Sequence, residues 1–131
     1  MKILLKKKTN EKEFWKYYLH IRNASLFTLT DKELEIMVGV LAGDPYKSMF
    51  KGKELKALCK SLNYKDTQST WSSVSITKKS LVSKGFLVDT GELRGDVLVA
   101  QPLRDFQLQV KKALKEGQPI SLELYFEIDA V

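Results

Sequence analysis

The tetrapeptide Thr30-Asp31-Lys32-Glu33 and the tripeptide Gly43-Asp44-Pro45 bracket the stretch that most restricts how this chain can fold. A threonine followed three residues later by a glutamate can satisfy two orphan N–H groups reciprocally at a helix start. Leu34, Met37, Val38 and Leu41 then recur at helical spacing. Gly43 sits where a C-cap is expected, and the proline drives Asp44 out of the α region. A helix over 31–42 is therefore the anchor from which the other elements are read outward.

Downstream, Lys51-Gly52 opens a helix over 53–62 with Leu55, Leu58, Cys59 and Leu62 inward and Lys53, Lys56 and Lys60 outward. Residues 63–66 form a turn into a second helical stretch, 69–84, closed by Lys84-Gly85. At about 100° per residue, Trp71, Val74, Lys78, Leu81, Val82 and Gly85 fall on one side of it and are expected to face the core. Ser69, Ser72, Ser73, Ile76, Lys79, Ser80 and Ser83 fall on the other. Serine is a mediocre helix former, so this hydroxyl-rich face has no evident stability rationale. Phe86-Leu87-Val88 and Val97-Leu98-Val99 read as strands joined by the glycine-containing loop 89–96, and residues 48–50 as a short strand able to pair with that hairpin.

The ends are expected to carry further strands. Residues 2–8 alternate loosely, with Ile3 and Leu5 on one side. A helix over 11–22 follows, in which Phe14, Tyr17, Tyr18 and Ile21 make an apolar stripe broadened by Trp15 and Leu19. Its aromatics are read as core, with docking of a second subunit as the alternative. Leu103, Phe106, Val110 and Leu114 keep helical spacing up to the stops at Gly117 and Pro119, while Phe106, Leu108 and Val110 also alternate as in a strand; the helix formers of 111–116 favour helix. Residues 120–128 alternate as a strand whose Glu123 and Glu127 are opposite in charge to the N-terminal lysines, which favours pairing of the two ends, within one chain or between two copies.

The composition, 44% hydrophobic and 29% charged over 131 residues, is that of an ordinary globular protein. One α+β domain is expected, with an N-terminal strand and helix over 1–28, a core over 29–100 and a helix and strand over 101–131. No apolar run approaches the roughly 20 residues of a membrane span, and Ile3 to Leu5 are followed at once by lysines, so a cytoplasmic setting is expected. The lone Cys59 fits a small core hydrophobe better than a nucleophile. His20 has no carboxylate or second ligand spaced to pair with it, and Gly43 to Ser48 lack the order of a phosphate loop. No metal, cofactor or enzymatic activity is called for.

Charge is more informative when divided along the chain. Residues 47–84 carry nine basic and two acidic groups, more positive charge than the net +6 of the whole protein. Clustered lysines neutralise phosphates and release counterions, giving salt-dependent affinity with little sequence information. Helix, turn and helix over 53–84 then compose a helix-turn-helix, in which the first helix supports and the second enters a DNA major groove. In this reading Ser72, Ser73, Ile76 and Lys79 meet base edges, the hydroxyls by donating or accepting and Ile76 by contact with a thymine methyl. Lys53, Lys56, Lys60, Ser69, Thr70, Lys78 and Arg94 hold the backbone, Lys78 by snorkelling out of the inward stripe and Arg94 from the hairpin tip.

Three stretches carry a family resemblance over about 29–99: Leu29-Thr30-Asp31-Lys32-Glu33-Leu34, Lys53-Glu54-Leu55-Lys56-Ala57-Leu58-Cys59, and the run from Val74 to Leu87 with its leucine, three residues and glycine. On these the chain resembles winged helix-turn-helix proteins, most closely MarR-type regulators and the winged-helix domains of phage and plasmid replication proteins. The resemblance implies duplex DNA binding by a transcriptional regulator, with the 86–99 hairpin as the wing. Two features depart from the family: the wing offers Asp89, Glu92 and Asp96 against Arg94 alone, and the ends read as strands rather than long dimerisation helices. The acidic wing and the aromatic N-terminal helix favour a second reading, a winged helix whose groove surface contacts protein in a transcription, replication or virion assembly.

Overall fold

Thr30 accepts a hydrogen bond from the Glu33 N–H at 3.2 Å, and Glu33 accepts one from the Thr30 N–H at 2.8 Å. The capping box is formed in full, and helix α2 runs over Asp31–Ala42. The structure, a computed structural model, describes residues 8–91 and 96–122. Within them lie five helices and one two-stranded antiparallel sheet, a mixed α+β arrangement. The N-terminal strand expected over 2–8, apart from Lys8, the wing tip with Arg94, and most of the strand expected over 120–128 lie outside the described residues.

Helix α1, Glu11–Ser25, is capped by Asn10, whose side chain accepts from the Glu13 N–H at 2.8 Å. It packs along α2. Its buried side differs from the expected stripe, because Trp15 and Leu19 are fully buried with Phe14, whereas Tyr17 is 41% exposed. The reason is helix α5, Leu103–Lys115, which lays Phe106 against Trp15 and Tyr18 at ring-centroid distances of 5.5 and 4.8 Å.

Helix α5 also completes the end of α2, which has no basic residue in its last turn. Buried Gln107 donates to the Leu41 carbonyl at 3.2 Å and Lys111 to that of Ala42 at 2.9 Å, so carbonyls left unpaired at a helix C-terminus find donors from another element. Gly43 is the C-cap as expected, but for a different reason: its backbone is extended. A Cβ there would come within 2.8 Å of the flexible end of the Met49 side chain, so Gly43 gives that side chain its place.

Helix α3, Gly52–Ser61, buries Leu58 and Cys59, while Lys53, Lys56 and Lys60 are exposed as expected. Leu58 fits against Gly39 of α2, where a Cβ would lie only 2.4 Å from Leu58 Cδ1. Asn63, at φ 58°, supplies the left-handed step of the turn that follows. Helix α4, Gln68–Ser83, then begins at Thr67, which accepts from the Thr70 N–H at 3.3 Å. It ends in a Schellman motif: the Phe86 N–H donates to the Leu81 carbonyl at 3.0 Å and Gly85 N–H to Val82 at 3.1 Å, with Gly85 at φ 86°.

The reversed chain enters β1, Leu87–Asp89, which pairs antiparallel with β2, Val97–Val99, in the register Leu87 to Val99 and Asp89 to Val97. Leu87, Val97 and Val99 face the core. Residues 48–50 do not form the expected third strand; they turn, with all three side chains buried. Ser48 nevertheless reaches the sheet, its hydroxyl oxygen accepting from the Val97 N–H at 3.3 Å. A side chain thus occupies the place at which a third strand would add its backbone.

Candidate nucleic-acid interface

Helix α4 divides sharply into a committed side and an open one. Val74, Thr77 and Leu81 are buried. Thr77 was not expected there, and its hydroxyl is satisfied by donating to the Ser73 carbonyl one turn back, at 3.0 Å. On the far side, Ser69, Ser72, Ile76, Lys79 and Ser83 form one exposed stripe, with Ile76 68% exposed. Of the four residues read as base contacts, Ser72, Ile76 and Lys79 lie on this stripe.

The fourth, Ser73, does not. It is half-buried and lines a polar groove of about 360 Å³ with Lys32, Asn63, Lys65, Thr67, Ser69 and Thr70. The turn from α3 into α4 draws these groups together. The Thr67 hydroxyl lies 3.1 Å from those of both Ser69 and Thr70. Lys32, on α2, sits 3.9 Å over the ring of Tyr64. Tyr64 in turn donates to Glu35 at 2.9 Å, and burial followed by that carboxylate pushes its hydroxyl above the usual tyrosine range. Lys32, Lys65 and Thr67 extend the expected site, a juxtaposition that depends on tertiary folding and leaves no sequence spacing behind.

Ser80 and Trp71 are the other corrections. Ser80 turns inward, because buried Glu33 accepts from its hydroxyl at 2.7 Å. Glu33 also receives the Lys84 ammonium at 2.7 Å, and Lys84 donates to the Thr28 carbonyl at 2.8 Å. Burial alone raises the Glu33 pKa; the hydrogen bonds from Lys84, Thr30 and Ser80 outweigh it and hold the carboxyl at about 2. The capping box of α2 therefore also pins the C-terminal end of α4, fixing the angle at which its open face is presented.

Trp71, expected in the core, is 36% exposed and leans on the start of α3, where it lines a shallow groove with Gly52, Lys53, Leu55 and Lys56. Two of the lysines read as backbone contacts, Lys53 and Lys56, are thus brought to the N-terminal half of α4. Lys60 is exposed one turn further along α3, and Lys78 is half-buried as its inward position implied. Cys59 is buried, and burial followed by Asp66 raises its thiol pKa, against a nucleophilic role. His20 is exposed on α1.

At the hairpin, Lys51 pairs with Asp96 at 3.2 Å, tying the base of the loop to the start of α3. The candidate surface is thus a ridge, α4, between two grooves, with lysines of α2 and α3 and the 63–67 turn on its flanks. Comparison with protein-family models, curated proteins and solved structures finds no match to this chain. No helix among the described residues is long and apolar enough to cross a membrane.

Proposed function

We propose that the chain is a duplex DNA-binding protein of the winged helix-turn-helix type, acting in transcription regulation, with α4 in the major groove and the β1–β2 hairpin as its wing. The observation that carries this reading is the open stripe of α4. Ser69, Ser72, Ile76, Lys79 and Ser83 are solvent-facing on a helix whose opposite side is anchored in the core. Hydroxyls, one ammonium and one aliphatic side chain match the donors, acceptors and thymine methyls of a major groove. Lys53, Lys56 and Lys60, with Lys32 and Lys65 beside the polar groove, supply phosphate contacts that fix register.

Ser72, Ile76 and Lys79 are assigned to base edges, and Ser73 moves to the groove side with Ser69 and Thr70. The double change Lys53→Glu and Lys79→Glu tests the proposal. Both side chains are exposed and outside the core, so thermal melting is expected to change little while duplex affinity falls by at least about a hundredfold, as reversing one charge at a phosphate contact and one in the groove requires. Unchanged duplex affinity in a folded double variant would overturn the assignment.

A protein-contact role for the same ridge is the second reading. It is favoured by the hairpin, where Asp89 and Asp96 place carboxylates and Asp96 already engages Lys51. Such an interface would be held by Ile76 and the exposed Val88 rather than by counterion release.

A further inference from the structure

The groove beside Trp71 shares Lys53 and Lys56 with the phosphate contacts proposed above, but its walls, Trp71 and Leu55, are not used in duplex binding. It measures about 390 Å³ and is walled by Trp71 and Leu55, with the bare backbone of Gly52 at one end and Lys53 and Lys56 along its side. A Cβ built on Gly52 would meet only Glu54 Oε2, at 3.8 Å, so that end is open. Lys53 and Lys56 stand one helical turn apart, and no acid among the described residues pairs with either. Glu54, between them in sequence, is held by Lys47 at 3.8 Å.

An indole flanked by free ammonium groups offers an aromatic face to a ring and positive charge to a backbone, the combination that recognises single-stranded nucleic acid. In an intact duplex the faces of the bases are covered by their stacked neighbours, and only edges and phosphates are presented. We propose that the Trp71 groove holds a nucleotide of an unpaired DNA strand, its base stacked on the indole and its flanking phosphates on Lys53 and Lys56. This deepens the DNA-binding reading: the protein is directed to duplex DNA that adjoins an unpaired segment, such as a junction or an opened site. The groove and the exposed stripe of α4 share one helix, so one DNA molecule can occupy both.

The chain reports on this contact itself. Trp15 is fully buried and Trp71 is 36% exposed, so acrylamide quenching of the intact protein senses Trp71. The full chain is titrated with a blunt duplex, with the same duplex carrying a thymine overhang, and with oligo(dT). The overhang is expected to tighten binding several-fold over the blunt duplex, and oligo(dT) to shield Trp71 from acrylamide. Trp71→Ala is expected to weaken oligo(dT) binding about tenfold and abolish the overhang gain, with blunt-duplex affinity unchanged and Trp71→Phe restoring most of it.

Equal affinity for blunt and overhang duplexes, with Trp71 quenching unchanged by oligo(dT), would overturn the groove assignment while leaving duplex recognition by α4 standing. Binding of oligo(dT) that shields Trp71 in a protein without affinity for the blunt duplex would support the groove and remove the major-groove reading. The quenching measurement needs no substitution, so it decides the matter even if Trp71→Ala unfolds.

Discussion

Glu33 shows how much one side chain can hold. Its carboxylate caps α2, receives Ser80 and Lys84 from α4, and is almost wholly buried. Because its pKa is lowered from 4.5 to about 2, it contributes stability that is fully present above about pH 5 and is lost as pH falls from about 4.5 towards 2. A shift of that size corresponds to about 3 kcal/mol. Chemical denaturation at pH 7 is expected to find Glu33→Gln less stable by that order, with the gap closing near pH 2; a gap independent of pH would show that ionisation of Glu33 contributes nothing. The capping role of Glu33 is legible from the Thr-x-x-Glu spacing, but its bonds to Ser80 and Lys84 span 47 and 51 residues and leave no local pattern. For the same reason Ser80 is expected outward from periodicity alone, since a hydroxyl's partner decides its side. Trp71 fails in the opposite way: its size argues for the core, yet the α3–α4 crossing leaves it on the rim.

At the scale of elements, the signals that survive folding are those carried by the backbone. The Thr30 box, the Asp44-Pro45 stop and Gly85 each act within a few residues, and helices α2, α3 and α4 begin and end within about a residue of the expected bounds. Gly85 closes α4 at positive φ with nothing within 4 Å of an added Cβ, so a substitution there is opposed by backbone conformation alone. Gly85→Ala is expected to cost about 1 kcal/mol in equilibrium unfolding, and Gly85→Asn less, because asparagine enters the left-handed region more readily. Equal stability of all three proteins would contradict the Schellman closure. What sequence cannot supply is the completion of one element by another. Gln107 and Lys111 cap α2 from α5, and Ser48 meets β2 with a side chain where the sequence reading expects a short strand over 48–50. These contacts join residues 49 to 69 apart, and either partner alone is an ordinary polar residue.

For the whole molecule, the division of labour follows the distribution of charge. The aromatic cluster of α1 and α5 and the apolar side of α2 make a packed base, and the positive segment 47–84 is carried on α3, the turn and α4 at its edge. Serines on the ridge carry little affinity of their own, so in the proposed complex affinity comes largely from the lysines around them and is electrostatic. The decisive measurement is the affinity of the intact chain for random-sequence duplex across a salt series from about 50 to 200 mM. With four or five lysines on phosphates, log K is expected to fall against log salt with a slope of about −4, a weakening of roughly two to three hundredfold over that range. A flat dependence, or no binding at the lowest salt, would contradict DNA recognition by this surface and favour a protein partner on the α4 ridge.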